Sequence, residues 1–292
     1  MTPPSEVTTS TTSTTSTTSN ISNNVDIAVV EEINLSDGVA ATAVFSNVVL
    51  RRKVLSMLPI FSLKRRDKIV IHGCAQWSGE IMMLTRCERR FPENINRNSA
   101  ACWSRTCVRD LASGFVARFG IRMGKDHSDS EPGADGMAFV IHNAKRGNQT
   151  HVYDDKGSGM GYSGIENSIA IEFDTFKLND SEPDANHISV QTNGRAPNSS
   201  NHRYSIGHAS PTCVMNDYQL HRVIVTYNPF KERQLVVNFD GRDLIQCTVN
   251  LQQLLRLNNN NSDAYVGFTA ATGYYFQVHS VEYCDIYRLN EY

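Results

Sequence analysis

The chain lacks a surplus of either charge: 28 Lys and Arg stand against 30 Asp and Glu, for a formal net charge of -2 over 292 residues. A nucleic-acid-binding surface needs a basic excess to meet phosphate, and the basic runs at 64–66 and 86–90 have no interleaved aromatics, so that class is set aside. Seven cysteines are present, yet none forms a Cys-x-x-Cys pair or a Cys/His zinc spacing. An odd number leaves at least one thiol unpaired in a monomer; Cys102 and Cys107 either bridge a local loop or remain reduced. No apolar run approaches the roughly 20 residues needed to cross a bilayer, so no transmembrane segment is expected. The start has no basic stretch followed by an apolar one, so it shows no secretory signal. With an unpaired cysteine, this favours the cytosol for the sequence as given, and a secretory or extracellular location if further residues precede it.

Large apolar side chains are also scarce over residues 2–24, where Val7 and Ile21 stand among Ser, Thr, Pro and Asn. Such a segment cannot bury enough surface to offset its ordering entropy, so residues 1–38 are expected to be a disordered Ser/Thr-rich tail. Residues 39–60 are more apolar but are broken by Arg51, Arg52, Lys53 and Pro59, which fits a linker or a short amphipathic segment. Six glycosylation sequons, at Asn20, Asn34, Asn148, Asn179, Asn198 and Asn260, fit a secreted glycoprotein but also arise by chance in a chain rich in Asn, Ser and Thr.

What remains, residues 61–290, reads as one large all-β domain. Short apolar alternations at 68–71, 81–85, 114–123 and 137–142 are separated by Gly, Pro, Asn and Asp. A meander follows at 221–227, 235–240 and 244–249, with Asn228-Pro229 and Asp240-Gly241 as turns, then a short helical turn at 251–257 and a closing pair at 264–270 and 277–287. More than ten short strands without a long helix predict a two-sheet antiparallel β-sandwich whose binding loops gather at one edge.

The chemistry concentrates between residues 169 and 193. Ile169, Ile171 and Phe173 alternate with Ala170, Glu172 and Asp174, so a strand puts both carboxylates on one face, roughly 6.6 Å apart. After a polar loop holding Asn179, Asp180, Glu182 and Asp184, the strand at 187–191 turns His187, Ser189 and Gln191 to one side and Ile188 and Val190 to the other. Oxygen donors suit calcium, and an imidazole among carboxylates suits manganese or zinc.

Four stretches together resemble the legume-type (L-type) lectins: Gly133-Ala134-Asp135-Gly136, Gly157-Ser158-Gly159-Met160-Gly161-Tyr162, the strand and loop over 171–190, and the segment 265–273 ending Ala271-Thr272-Gly273. The resemblance implies a concanavalin A-like jelly-roll sandwich that binds glycans or glycoproteins reversibly, without catalysis. It implies that Asp135, after a cis Ala-Asp bond, accepts hydrogen bonds from sugar hydroxyls, and that backbone donors of Ser158 and Gly159 meet the sugar from the opposite side. Glu172, Asp174 and His187 match the ligands of the family's transition metal, with Asp174 bridging to calcium. Phe176 matches the aromatic whose carbonyl binds calcium and whose ring stacks on the sugar. Thr272 and Gly273 fall in the loop that sets sugar preference. The implied cofactors are calcium and manganese or another transition metal.

The match is imperfect in the metal loop. The family places an asparagine two residues after the aromatic, where this chain has Leu178, with Asn179 one place later as the substitute contact to calcium and sugar. It places an aspartate before proline where this chain has Glu182, one methylene longer, with Asp180 and Asp184 as rival ligands. Those departures are what a lectin-fold protein-interaction domain with a degraded sugar site would show, and the retained Asp135, Glu172, Asp174 and His187 weigh against that alternative. A glycoside hydrolase on the same architecture is disfavoured, because Glu172 and Asp174 are followed by Thr175, Phe176 and Lys177 with no second glutamate at the retaining spacing. A shallow site of this kind binds one sugar at about millimolar strength, so avidity would call for a homo-oligomer.

Overall fold

Alternation of period two becomes fifteen antiparallel strands in a computed structural model that describes residues 58–86, 99–125, 132–152, 157–257 and 261–289. The expected tail, and the segment 39–60 as far as residue 57, lie outside the described residues. In chain order the strands are β1 (Phe61–Ser62), β2 (Ile69–Gly73), β3 (Gln76–Ser78), β4 (Ile81–Thr85), β5 (Ser99–Ser104), β6 (Phe115–Gly124), β7 (Gly136–His142) and β8 (Ser168–Asp174). They continue as β9 (His187–Gln191), β10 (Ser205–Ala209), β11 (His221–Asn228), β12 (Gln234–Phe239), β13 (Arg242–Thr248), β14 (Tyr265–Ala271) and β15 (Val278–Arg288), with a single turn of α-helix, α1 (Leu251–Leu254), after β13.

One sheet runs β13-β12-β11-β6-β15-β4-β3, with β1 paired to β15; the other, the site sheet, runs β10-β9-β8-β7-β14-β5-β2. Between them lies the main core, to which β6 contributes Phe115, Ala117, Phe119, Ile121 and Met123 at every second position. Phe119 is its centre: it stacks on Phe139 at 5.1 Å and meets Phe268 edge-on at 5.1 Å and Phe173 at 6.2 Å, all three from the opposite sheet. Aromatic pairs in these offset and edge geometries add to the area they bury.

The two sheets differ on their outer faces. Strands β11 and β12 alternate buried with partly exposed residues, as a half-solvated sheet should. Strands β7, β8 and β9 are buried at every position. A second, smaller core explains this: Trp103, Ala138, Val140 and Ala170 on the outer face of the site sheet pack under Ala144, Met160, Tyr162 and Ile165. Ala144, Met160, Tyr162 and Ile165 therefore roof the side of β8 that carries the carboxylates.

Strand ends shift by a residue or two for local reasons. Strand β13 begins at Arg242 because Asp240 and Gly241, at φ 48° and 85°, make a two-residue hairpin turn. Strand β5 has no signature in the sequence, because Ser-Ala-Ala-Cys-Trp-Ser is buried on both faces and shows no alternation. Cys102 and Cys107 are both free thiols, which corrects the bridge reading: Cys102 points into the main core.

Candidate functional site at one end of the site sheet

Strand β8 sends Ile169, Ile171 and Phe173 into the main core and turns Glu172 and Asp174 the other way, under the roof. Strand β9 pairs with it so that Asp174 lies opposite His187. One ligand atom from each of Glu172, Asp174 and His187 falls within 4.8 Å of the others, and all three side chains are buried. His187 is oriented from behind: its Nδ1–H donates to the Asp184 carbonyl at 2.8 Å, which turns Nε2 toward Glu172 Oε1, 3.6 Å away. That backbone-fixed tautomer is how ligating histidines are commonly held. Glu172 is supported by the Tyr162 hydroxyl, which donates to Oε2, and by Gln191 Nε2, which donates to Oε1 at 3.0 Å.

The electrostatics describe a site short of positive charge. Burial, and next the Glu172 charge, hold the Asp174 carboxyl well above its ordinary range. Burial pulls His187 down, but the Glu172 hydrogen bond and the Asp174 and Glu172 charges outweigh it and bring the imidazole up to about 9. Two desolvated carboxylates and an imidazole within ligand distance fit a divalent cation by donor chemistry.

Strand β7 pairs Gly136 with Asp174, which brings the preceding residue, Asp135, beside the donor cluster. The Ala134–Asp135 peptide is cis, and Asp135 is 6% exposed. Its Oδ2 accepts the Gly273 N–H at 2.9 Å. Gly157, at φ 83°, lies so close that a Cβ there would stand 1.8 Å from Asp135 Oδ2. The segments around residues 135, 157 and 273 thus converge on one carboxylate. The turn of Ser158 and Gly159 continues from it, with the Gly159 carbonyl accepting the N–H groups of Tyr162 and Ser163, each at 3.1 Å. Thr272 is buried.

A closed chain of hydrogen bonds holds Asp135 from the interior. Its carbonyl accepts Thr175 N–H at 3.0 Å and Thr175 Oγ1–H at 2.8 Å. Gln277 Nε2 donates to Thr175 Oγ1 at 2.7 Å and to His279 Nε2 at 2.9 Å. His279 Nδ1–H then donates to Thr85 Oγ1 at 2.6 Å, whose own hydroxyl donates to the Gln277 carbonyl at 2.9 Å. Every proton in this assignment has one place to go, and His279 is neutral: burial lowers it to about 3.

The loop residues are arranged differently. Phe176 is half-buried and faces Tyr275 at 5.3 Å, with its N–H donating to Asp174 Oδ1 at 2.8 Å. Asn179 is exposed, and its side-chain oxygen accepts the Ser181 N–H at 2.9 Å and the Ser181 hydroxyl. Glu182 accepts the Leu178 N–H at 2.6 Å, and Asp184 accepts the Asn186 N–H at 2.7 Å and the Ser210 hydroxyl. Asp180 is exposed. Glu182, Asp184 and the Asn179 amide are thus engaged in local turns, while Glu172, Asp174, His187 and Asp135 stand together.

Sequence reasoning assigned no role to Tyr162, Thr175, Gln277, His279 or Tyr275. Gln191 was legible, since it shares a strand face with His187; the partners reached across the fold carry no local signal.

The family model described as "Legume lectin beta-barrel domain" matches residues 63–284. Among solved structures, the winged bean acidic lectin complexed with methyl-α-D-galactose is 19% identical with a TM-score of 0.60, over 79% of this chain and 98% of its own. Lectin II from Ulex europaeus is 21% identical with a TM-score of 0.58, over 78% and 97%. The VIP36 exoplasmic/lumenal domain in its Ca2+/Man3GlcNAc-bound form is 16% identical with a TM-score of 0.59, over 80% and 90%. At such identities the structural likeness speaks to the fold.

Proposed function

The chain belongs to the legume-type (L-type) lectin family, and on that premise we propose that it binds glycans reversibly, with calcium required and without catalysis. The observation that carries this reading is the convergence on Asp135: a carboxylate met by the Gly273 N–H and closely approached by Gly157, one strand away from Glu172, Asp174 and His187. A carboxylate beside backbone donors accepts from vicinal sugar hydroxyls, and the Phe176 and Tyr275 rings nearby offer an apolar face for the sugar ring. Ser158 and Gly159 lie on the turn that begins at Gly157, where small residues allow main chain to reach a ligand.

Glu172, Asp174 and His187 would hold the cation, calcium alone or with manganese, and the Phe176 carbonyl, Asn179 and Glu182 would reach it by rearranging the loop at 175–186. Calcium tolerates such rearrangement because its coordination is flexible. When bound, the cation supplies the positive charge that the buried carboxylates need and ties the loop to the strand ends. The chain's own residues do the rest: Asp135 accepts, Gly273 and the Thr175-Gln277-His279 chain keep it aimed, and no second glutamate stands at the spacing that glycoside hydrolysis uses.

The second reading is a lectin-fold protein-interaction domain; the turn that occupies the Asn179 amide favours it. A glycan array with purified protein, in calcium plus manganese and again in excess chelator, decides between them. Binding lost both in chelator and in Asp135→Ala is the expected result. A blank array from a protein that melts cooperatively overturns the glycan reading.

A further inference from the structure

Among the described residues one other cluster of metal-ligating atoms closes, apart from the sugar-site donors. Cys213, His221 and Asp240 each bring a ligand atom within 4.8 Å of the others. They come from three places in the fold: the loop after β10, the first residue of β11, and the turn between β12 and β13. The glycan reading uses none of them.

We propose that Cys213, His221 and Asp240 form a zinc site, with Asp217 holding the histidine ring from behind. The donor set argues first. Thiolate, imidazole and carboxylate together suit zinc and not calcium or magnesium, which take oxygen alone. The site is also built. His221 is 4% exposed, and its ring stacks on Phe239 at 5.0 Å with 23° between planes. Its Nε2 lies 3.2 Å from Asp217 Oδ1, and its Nδ1 lies 2.7 Å from Asp240 Oδ2. A carboxylate on the far ring nitrogen is the outer-shell partner that ligating histidines use, and it frees Nδ1 for the metal.

Asp240 is aimed in the same way. Its Oδ1 accepts the Arg222 N–H at 2.8 Å, and its own N–H donates to the Arg222 carbonyl at 2.9 Å, so Oδ2 is the oxygen left facing His221 and Cys213. Cys213 Sγ stands 3.9 Å from that oxygen. Asn186 Nδ2 fixes the Cys213 backbone by donating to its carbonyl at 2.9 Å. Tetrahedral zinc with ordinary bond lengths separates sulfur from oxygen by about 3.5 Å and nitrogen from oxygen by about 3.3 Å. Asp240 therefore shifts by about half an ångström on binding, which a residue on an exposed hairpin turn can do. Binding releases to solvent the Cys213 thiol proton and the proton shared between His221 Nδ1 and Asp240 Oδ2, since thiolate, neutral imidazole nitrogen and carboxylate are the ligands. The Asp217 and Asp240 side chains are 36% and 37% exposed, so water takes the fourth position.

The test uses the full chain, stripped of metal and then saturated with calcium, titrated with zinc and separately with cobalt(II) as the spectroscopic probe. One equivalent of zinc should bind beyond any taken up by Glu172, Asp174 and His187, and the cobalt complex should show thiolate-to-metal charge-transfer absorption. Cys213→Ser and Asp240→Asn should each remove that absorption, and Asp217→Asn should weaken zinc binding by about 10- to 100-fold. Cooperative melts of the variants confirm folding, and Asp240→Asn, on an exposed turn, serves if Cys213→Ser does not fold. A cobalt complex without the thiolate band, or a zinc stoichiometry in folded Cys213→Ser and Asp240→Asn equal to that of the wild type, overturns the proposal. The outcome is independent of whether the chain binds glycans.

Discussion

At the scale of single residues, the site depends on positions where a side chain would be in the way. A Cβ at Gly157 would stand 1.8 Å from Asp135 Oδ2 and 2.4 Å from the Gly273 nitrogen, with the backbone at φ 83°. Gly157→Ala should therefore destabilise the domain by about 1–3 kcal/mol and abolish glycan binding by displacing Asp135. Gly194, also at positive φ but with nothing within 4 Å of the place a Cβ would take, is the control: Gly194→Ala should cost about 1–2 kcal/mol through its backbone alone and keep binding. Chemical melts and array binding of the two variants check this, and equal loss of binding in both would refute the steric account. Asp135, Glu172, Asp174 and His187 were legible in the sequence because each sits in a motif or on a strand face that shows in the local pattern. Thr175, Gln277 and His279 were not, because their partners lie up to 194 positions away, as in the contact between Thr85 and His279. No local spacing encodes a contact of that span.

At the scale of elements, the β8–β9 pair and its loop divide the problem. Strand type and facing were readable, since period two and β-branched residues announce them; the loop conformation was not. Asn179, Glu182 and Asp184 are all metal donors by type, yet each also satisfies a backbone N–H two to four residues away, and composition does not say which use wins. The strand pair yields a prediction of its own. A cation that binds the folded donor set and not the unfolded chain should add about 2.7 kcal/mol of stability at a hundredfold excess over its dissociation constant. Calcium with manganese should accordingly raise the melting temperature of the wild-type protein, and Glu172→Gln should remove that increment. An unchanged melting temperature in the wild type across saturating metal would mean that β8 and β9 hold no cation.

At the scale of the whole molecule, the sandwich was legible while its roof was not. The core between the sheets follows from alternation, with Phe119 set among Phe139, Phe173 and Phe268. The second core over the site sheet needs Trp103 and Tyr162, far apart in sequence, to meet, and strands buried on both faces lose the alternation that would mark them. Full burial has a global consequence in pH. Burial lowers both His142 and His279 from 6.5 to about 3. The unfolded chain therefore binds two protons that the folded chain refuses between those limits. Their contribution to stability is complete above pH 6.5 and falls as pH drops toward 3, by up to about 1.4 kcal/mol per unit for each residue. Denaturant midpoints across that window should decline with acid, and His279→Gln should flatten the slope; an unchanged slope in that variant would show that another group governs it.

The burial of Trp103 bears on how this protein can be observed. The chain has two tryptophans. Trp103 is fully enclosed, its indole N–H donating to the Thr150 carbonyl, within the cluster that holds Tyr162 and Ile165. Trp77 is partly exposed on β3, at the edge of the other sheet, with the Arg66 guanidinium 4.7 Å above its ring. The two indoles thus emit from a dry and a wet setting, at opposite sheets. Intrinsic fluorescence gains a blue component from beneath the roof of the site sheet and a red one from the far edge, so the spectrum alone separates opening of the roof from fraying of the sandwich, without a label.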